Sequence, residues 1–343
     1  MSLPKAILYS WPSSVWSTVP RLCLIEKGYA EDEYVVKYVN IFKGEASTLH
    51  PPQNFSPSYL KINMNGTIPT LVVPTLETTG DDVDTRYRSL RDTVSICDFL
   101  DQARGANTSQ TSSERPAPAL APATIEGTLH TKTLSDQVVE LIHLPAVDPN
   151  FIAISAVNEA ELKEKVSDAP GKALSARKDA LTKYLAEARQ VVAGSTVAPK
   201  EGSTTFDQRI VQFLEEKLRT NEEVWKIYHG ESTSETLDQF YEVSEKAWRE
   251  RLPEAFSRLE NLIKGPYVLG DHLSLADLHA VSWLTRIVSI AGGLPDANGL
   301  DSIERKTGAI LGAKIKKFWE LWIERESFKQ VLVPASSAFQ EMK

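Results

Sequence analysis

The chain has 343 residues, enough for two domains, and its 42% hydrophobic and 24% charged content is ordinary for a globular protein. A net charge of −8 with no stripe of Lys and Arg among aromatics repels a phosphate backbone and excludes nucleic acid as a partner. No apolar run approaches the roughly 20 residues of a membrane span, the first residues lack a signal-peptide core, and Cys23 and Cys97 read as buried thiols of a reducing compartment, so a cytoplasmic protein without membrane contact is expected.

Residues 5–10 read as a short strand, followed by the turn Trp11-Pro12-Ser13-Ser14 and a helix over about 17–27 closed by Gly28. Residues 34–39 read as a second strand, and Ser56-Pro57 starts a helical turn after a loop rich in Pro, Ser and Asn. Third and fourth strands are predicted at 70–73 and 87–90, with a solvated hairpin tip over 78–84. Val94, Ile96, Cys97, Phe99 and Leu100 have helical spacing over 93–102. This βαβαββα order fills an N-terminal α/β domain, residues 1–102.

Residues 103–123 are dominated by Ala, Ser, Thr, Pro and Gly, which predicts a mobile linker. The remainder, 124–343, reads as an all-α domain. Helices are predicted at 124–144, 158–193 with a break at Pro170-Gly171, 205–229, 234–263 with a kink at Pro253, 275–291 and 314–331. The charged run over 159–183 reads as a solvated helix face.

The most specific local signal is Asn65-Gly66-Thr67-Ile68-Pro69-Thr70-Leu71, followed some twenty residues later by Asp92-Thr93 at a helix start. A proline just ahead of a buried strand is unfavourable unless the strand begins there or the bond is cis. At a helix N-terminus the unpaired N–H groups favour a carboxylate, and a side-chain acid beside them receives an ammonium. One end of a γ-glutamyl peptide carries both charges; an ordinary turn and an ordinary helix cap remain the bland alternative.

The stretch from Leu60 to Leu71 resembles the L-x-x-N-P-x-G-x-V-P-x-L segment of glutathione transferases, with Met64 in place of the usual proline. Asp92-Thr93 and the helix behind it resemble that family's E-S-x-x-I-x-x-Y-L, and the stretch from Gly265 to Asp277 is similar to its helix-capping signature. Read without the family, Ser274 caps a helix with Asp277 three residues on, flanked by Leu273 and Leu278, a device for fold integrity worth about 0.5–2 kcal/mol.

The resemblance implies a thioredoxin-like N-terminal domain whose cis Ile68-Pro69 bond presents Ile68 to an extended peptide, with Asp92 and Thr93 also binding glutathione. Registering on Arg21 and Gly28 puts Ser14 where serine-type members carry the activating hydroxyl. Ser13 and Ser17 remain alternatives, and Tyr9 is a weaker one. The position that often meets the glycine carboxylate falls at Asn54, with Gln53 beside it; His50 and Lys61 are possible substitutes.

A free thiol has a pKa of about 8.5, so a hydroxyl donated to sulfur beside helix N–H groups favours the nucleophilic thiolate. The resemblance therefore implies an enzyme that joins glutathione, as co-substrate, to a hydrophobic small molecule, without a metal and by family habit as a homodimer. A ligand carrier of the same fold, a scaffold subunit, and glutathione-dependent ether cleavage or isomerisation are the alternatives. The helices inserted around 150–233 exceed what the family needs and are expected to reshape the acceptor pocket or the dimer surface. The histidines show no metal-ligand spacing. Trp319 and Trp322 resemble the family's terminal helix packed against the first domain, and Trp225, Tyr228, Phe240 and Tyr241 fit either core or acceptor pocket.

Overall fold

The computed structural model describes residues 5–41, 52–74, 87–104, 117–121, 125–195 and 204–342. The hairpin tip over 78–84 and His50 lie outside the described residues. Four strands, β1 (Ala6–Ser10), β2 (Tyr34–Tyr38), β3 (Thr70–Pro74) and β4 (Tyr87–Leu90), form one sheet in the order β2-β1-β3-β4. β1 is parallel to β2 and antiparallel to β3, and β4 is antiparallel to β3 with Leu71 opposite Leu90. Parallel pairing of β1 with β2 requires a crossover, which α1 (Val15–Glu26) supplies. Together with the short α2 (Pro57–Leu60) and α3 (Thr93–Ala103), these elements realise the expected βαβαββα domain. Its core gathers Leu8, Leu22, Cys23, Leu71, Ile96 and Cys97, all buried, and both thiols are free.

The second domain is helical: α4 (Ile125–Ile142), α5 (Pro149–Ile154), α6 (Glu159–Ser167), α7 (Ala169–Gly194), α8 (Phe206–Tyr228), α9 (Ser234–Lys246), α10 (Leu252–Leu262), α11 (Leu275–Ile290), α12 (Gly299–Thr307), α13 (Ala313–Ile323) and α14 (Val333–Gln340). The expected break at Pro170-Gly171 falls at Asp168 instead, because proline is accommodated in the first turn of a new helix. Pro253 likewise sits in the first turn of α10, after a wide π turn over Ala247–Arg251. α5 and α12 are short helices that the sequence pattern did not announce.

α11 is the axis of this domain, buried along nearly its whole length and packed against α1, α4 and α5. Its start is held as expected. Asp277 accepts from the backbone N–H of Ser274 (2.7 Å) and of Val268 (2.7 Å), and the Ser274 hydroxyl donates to the same carboxylate at 2.5 Å. Trp319 and Trp322 on α13 are buried as well, but α13 packs on α10; the following turn, Phe328–Leu332, is what meets α1. Tyr228 is buried in a small satellite core with Leu162 and Leu174, against which Trp225, Phe240 and Tyr241 pack.

The segment expected to be a mobile linker is partly tied down. Lys27, at the C-terminal end of α1, and Asp101, on α3, form a buried ion pair at 2.7 Å. Lys27 also donates to the Pro118 carbonyl at 2.5 Å, and Asp101 accepts from the N–H groups of Leu120 (2.9 Å) and Ala121 (3.0 Å). Leu120 is buried, and its carbonyl accepts from the N–H of Leu275 at the start of α11. One ion pair thus fixes where the chain leaves the first domain.

α7 and α8 form an antiparallel hairpin, shown by the pairing of Arg189 with Glu215 and of Lys178 with Glu222. This hairpin docks on the first domain. Leu181, Tyr184, Leu185, Ile210 and Leu214 bury Phe55 and Leu60, with Met64 and Phe213 packed at the edge. Gly66 permits the approach: its φ is +61°, and a Cβ there would stand 3.0 Å from the Phe213 ring.

Two outcomes are expected. Asp101→Ala, which strands a buried ammonium, should lower the unfolding free energy in urea by about 3–5 kcal/mol. Gly66→Ala forces a left-handed backbone on a residue with a side chain and crowds Phe213; its urea midpoint should correspond to a loss of about 1–2 kcal/mol.

Candidate functional site

A cavity of about 1350 Å³ opens between the two domains. The first domain contributes Ser13, Ser14 and Trp16 from the start of α1, Asn54 and Phe55 ahead of α2, the run from Asn65 to Pro69, and the run from Arg91 to Val94. The second contributes Val139 and Glu140 of α4 and the following His143, then α5, α6 and α7, Lys217 of α8, Arg286 and Ile290 of α11 and Lys306 of α12. Phe339 and Met342 close it at the C-terminal end. The charged run over 159–183 is not wholly a solvated face, since Glu161, Glu164, Lys165, Asp168 and Arg177 line this cavity.

The Ile68-Pro69 bond is cis, and both residues line the cavity. Among the described residues no hydrogen bond engages the Ile68 amide or carbonyl. β3 pairs with β4 through Leu71 and Leu90, and continuing that ladder brings Asp92 across from Pro69. Asp92 is the N-cap of α3; its Oδ1 accepts from the Ser95 N–H at 2.8 Å, while Thr93 behind it is buried. Both residues face the cavity. A helix N-terminus and an acid therefore stand beside an unpaired backbone segment.

The three serines of the turn are placed differently. Ser14 is the N-cap residue of α1, half-buried and facing the cavity, and its hydroxyl makes no capping bond to the helix it starts. Ser13 also lines the cavity but is buried: its Oγ lies 3.6 Å from the Met342 sulfur, and its carbonyl accepts from Arg286 at 2.6 Å. Ser17 is fully buried, has no partner for its hydroxyl, and lies outside the cavity lining. Tyr9 packs edge-on against Tyr59 and is not part of the lining either.

Asn54 lines the cavity, with its NH₂ committed to the Gly66 carbonyl at 2.8 Å and its Oδ1 buried without a partner. Gln53 lies outside the lining; its side-chain carbonyl accepts from the Asn40 N–H at 3.2 Å and ties the end of β2 to this loop. Lys61 is exposed and also outside.

Several lining residues escaped the sequence reading. Arg286 is buried, its guanidinium 4.0 Å from the centre of the Phe339 ring. Burial pulls its pKa down to about 9, which leaves it charged at neutral pH. A lone basic residue in the middle of an apolar helix was a legible signal. The His143 ring stacks on Trp16 with centroids 3.9 Å apart, and its Nε2 lies 3.2 Å from Nδ1 of His279. Burial lowers the pKa of both imidazoles, that of His279 to about 3, so the pair is neutral and shares one proton along the contact. This pairing joins residues far apart in the chain and left no local trace. Among the described residues no group of His, Cys, Asp and Glu has the makings of a metal site, and no helix is long and apolar enough to cross a membrane.

The site thus offers a carboxylate and a helix N-terminus at one place, an unpaired backbone edge beside them, a hydroxyl at a second helix N-terminus, and a broad wall from the second domain. Comparison with curated proteins finds no match. The chain is similar in fold to the beta-etherase LigF from Sphingobium sp. strain SYK-6, at 17% identity and a TM-score of 0.48, over 96% of this chain and 98% of that one. It is likewise similar to an epsilon-class glutathione S-transferase from the housefly, Musca domestica (15% identity, TM-score 0.47, 98% and 95% covered). Glutathione transferase F7 from Populus trichocarpa is a further likeness (16% identity, TM-score 0.45, 96% and 99% covered). The family model for the glutathione S-transferase N-terminal domain matches residues 8–108, and that for the C-terminal domain matches residues 222–306. With both halves of its fold matched, the chain belongs to the glutathione S-transferase superfamily.

Proposed function

We propose that the protein is a serine-type glutathione transferase, in which Ser14 activates the thiol of glutathione for attack on a hydrophobic electrophile. The observation that carries this reading is the position of Ser14: an uncommitted hydroxyl at the N-terminus of α1, opening on the same cavity as Ile68, Asp92 and Thr93. The residues fit the tripeptide. Asp92 receives the γ-glutamyl ammonium, the first-turn amides of α3 receive its carboxylate, and the Ile68 amide and carbonyl pair with the cysteinyl backbone as an added strand would.

Chemistry follows from charge. The Ser14 hydroxyl donates to the sulfur, the first-turn N–H groups of α1 add their partial positive charge, and the Arg286 guanidinium lies in the same wall. All three favour the thiolate over the thiol, and each unit of pKa lowering corresponds to about 1.4 kcal/mol. The thiolate sulfur then forms a bond to an electrophilic carbon while the leaving group departs with its electron pair. Serine carries no sulfur to form a mixed disulfide, which sets this chemistry apart from thiol exchange.

The second substrate lies against the inserted helices. The cavity exceeds the ~300–1,000 Å³ usual for small-molecule pockets, which suits a bulky acceptor. The same size favours one second reading, a carrier that holds glutathione and a large apolar ligand without turnover.

Ser14→Ala should lower kcat/KM with a chlorinated dinitrobenzene by about ten- to a hundredfold and raise the pH at which the bound thiol ionises, read by thiolate absorbance, with the thermal melt unchanged. Unaltered turnover would remove Ser14 from the mechanism. Glutathione binding with no turnover on a broad electrophile panel would establish the carrier instead.

A further inference from the structure

Arg177 on α7 and Lys217 on α8 both line the cavity, and both fall between the two regions that the family models match, on a hairpin whose last residues enter the second of those regions. The Arg177 guanidinium lies 4.9 Å from the centre of the Phe55 ring, and its Nε is buried with no hydrogen-bond partner. The Lys217 ammonium lies 5.4 Å from the Phe213 ring, the same ring that closes on Gly66. The two cations therefore flank the Asn54–Gly66 side of the Ile68 loop. Among the described residues neither forms an ion pair. Burial depresses the pKa of both, and the Arg177 charge depresses that of Lys217 further.

Two neighbouring cations withdrawn from water without a counter-ion are unfavourable until an anion joins them. Among the described residues none of the wall's acids, Asp92, Glu140, Glu161, Glu164 or Asp168, forms an ion pair with either cation, and Glu161 is already engaged with Lys306 at 3.0 Å and with Lys165 at 3.6 Å. The expected occupant therefore arrives with a ligand.

We propose that Arg177 and Lys217 bind the terminal glycine carboxylate of glutathione, so that the inserted hairpin completes the co-substrate site. This inference rests on the transferase reading above. A tripeptide anchored by its γ-glutamyl end at Asp92, across from Pro69, and paired along Ile68 runs on toward Gly66. At that end, among the described residues, the first domain places no cation in the cavity wall. The Asn54 NH₂ is taken by the Gly66 carbonyl, which also fixes the orientation of that amide, and the oxygen left over is an acceptor that repels a carboxylate. Lys61 lies outside the cavity. The counter-charge stands across the groove, on α7 and α8, and Arg177 presents planar donors suited to a carboxylate.

The test is calorimetric titration of the full-length protein and its R177Q and K217Q variants with glutathione and with its glycine monoethyl ester, which lacks the terminal charge. Melting curves check the fold; Lys217 is partly exposed, so K217Q serves even where R177Q loosens its packing on Phe55. The expected result is that each variant weakens glutathione about tenfold and leaves the ester unchanged, so that the wild-type preference for the acid disappears. Variants that bind glutathione as the wild type does overturn the proposal and leave the transferase reading standing. Equal losses for acid and ester also overturn it, because the terminal charge is then not what the cations hold. Variants that keep glutathione but lose turnover only with acidic acceptors reassign the pair to an acceptor carboxylate. A wild-type protein that binds neither ligand ends both readings.

Discussion

The constraint on which the rest depends is the burial of α1 between two domains. Val19, Leu22 and Cys23 of this helix are sealed into the first core, while Thr18 hydrogen-bonds Ser282 of α11 at 2.9 Å and Arg286 of α11 holds the Ser13 carbonyl. Its far end carries Lys27 in the ion pair with Asp101, and Glu26 takes a bidentate contact from Arg325, with Nε to Oε1 at 2.9 Å. A helix pinned at both ends and on both faces cannot tilt, and its first residue is Ser14's neighbour. The hydroxyl therefore keeps its aim without a capping bond of its own.

From that fixed helix the cavity follows. Its floor consists of backbone edges and helix starts, which present partial charges that need no side-chain ordering when a ligand arrives. Its roof is built of side chains from α4 to α8, α11 and α12, where packing rather than backbone geometry sets the shape. On the proposed transferase reading, that division separates an invariant co-substrate from a variable acceptor.

Much of the floor was legible in the sequence because it is local. Pro69 ahead of a strand, Asp92 ahead of a helix, and Ser14 in a turn each have meaning within a few residues, and the succession of strands and helices along the chain is read from short local patterns. The capping of α11 by Asp277 was equally plain. What the sequence withheld is long-range. Nothing near Arg177 or Lys217 indicates that a charged helix face turns inward, because that depends on Leu181 and Leu214 finding Phe55 and Leu60. The contact of His143 with His279 and the return of Met342 to Ser13 are likewise products of packing. The low-complexity stretch misled in the opposite sense: its composition has almost nothing to bury, yet Leu120 is buried and Asp101 collects the backbone N–H groups beside it.

The docked hairpin and the loop beneath it depend on each other for cover. Phe55 and Leu60 on one side, and Leu181, Tyr184 and Leu214 on the other, pack into one apolar cluster. A polar loop would leave the hairpin's apolar face sticky, and a chain trimmed of the hairpin would leave the loop sticky instead. Neither surface tolerates change alone, so any redesign of one has to rewrite the other with it.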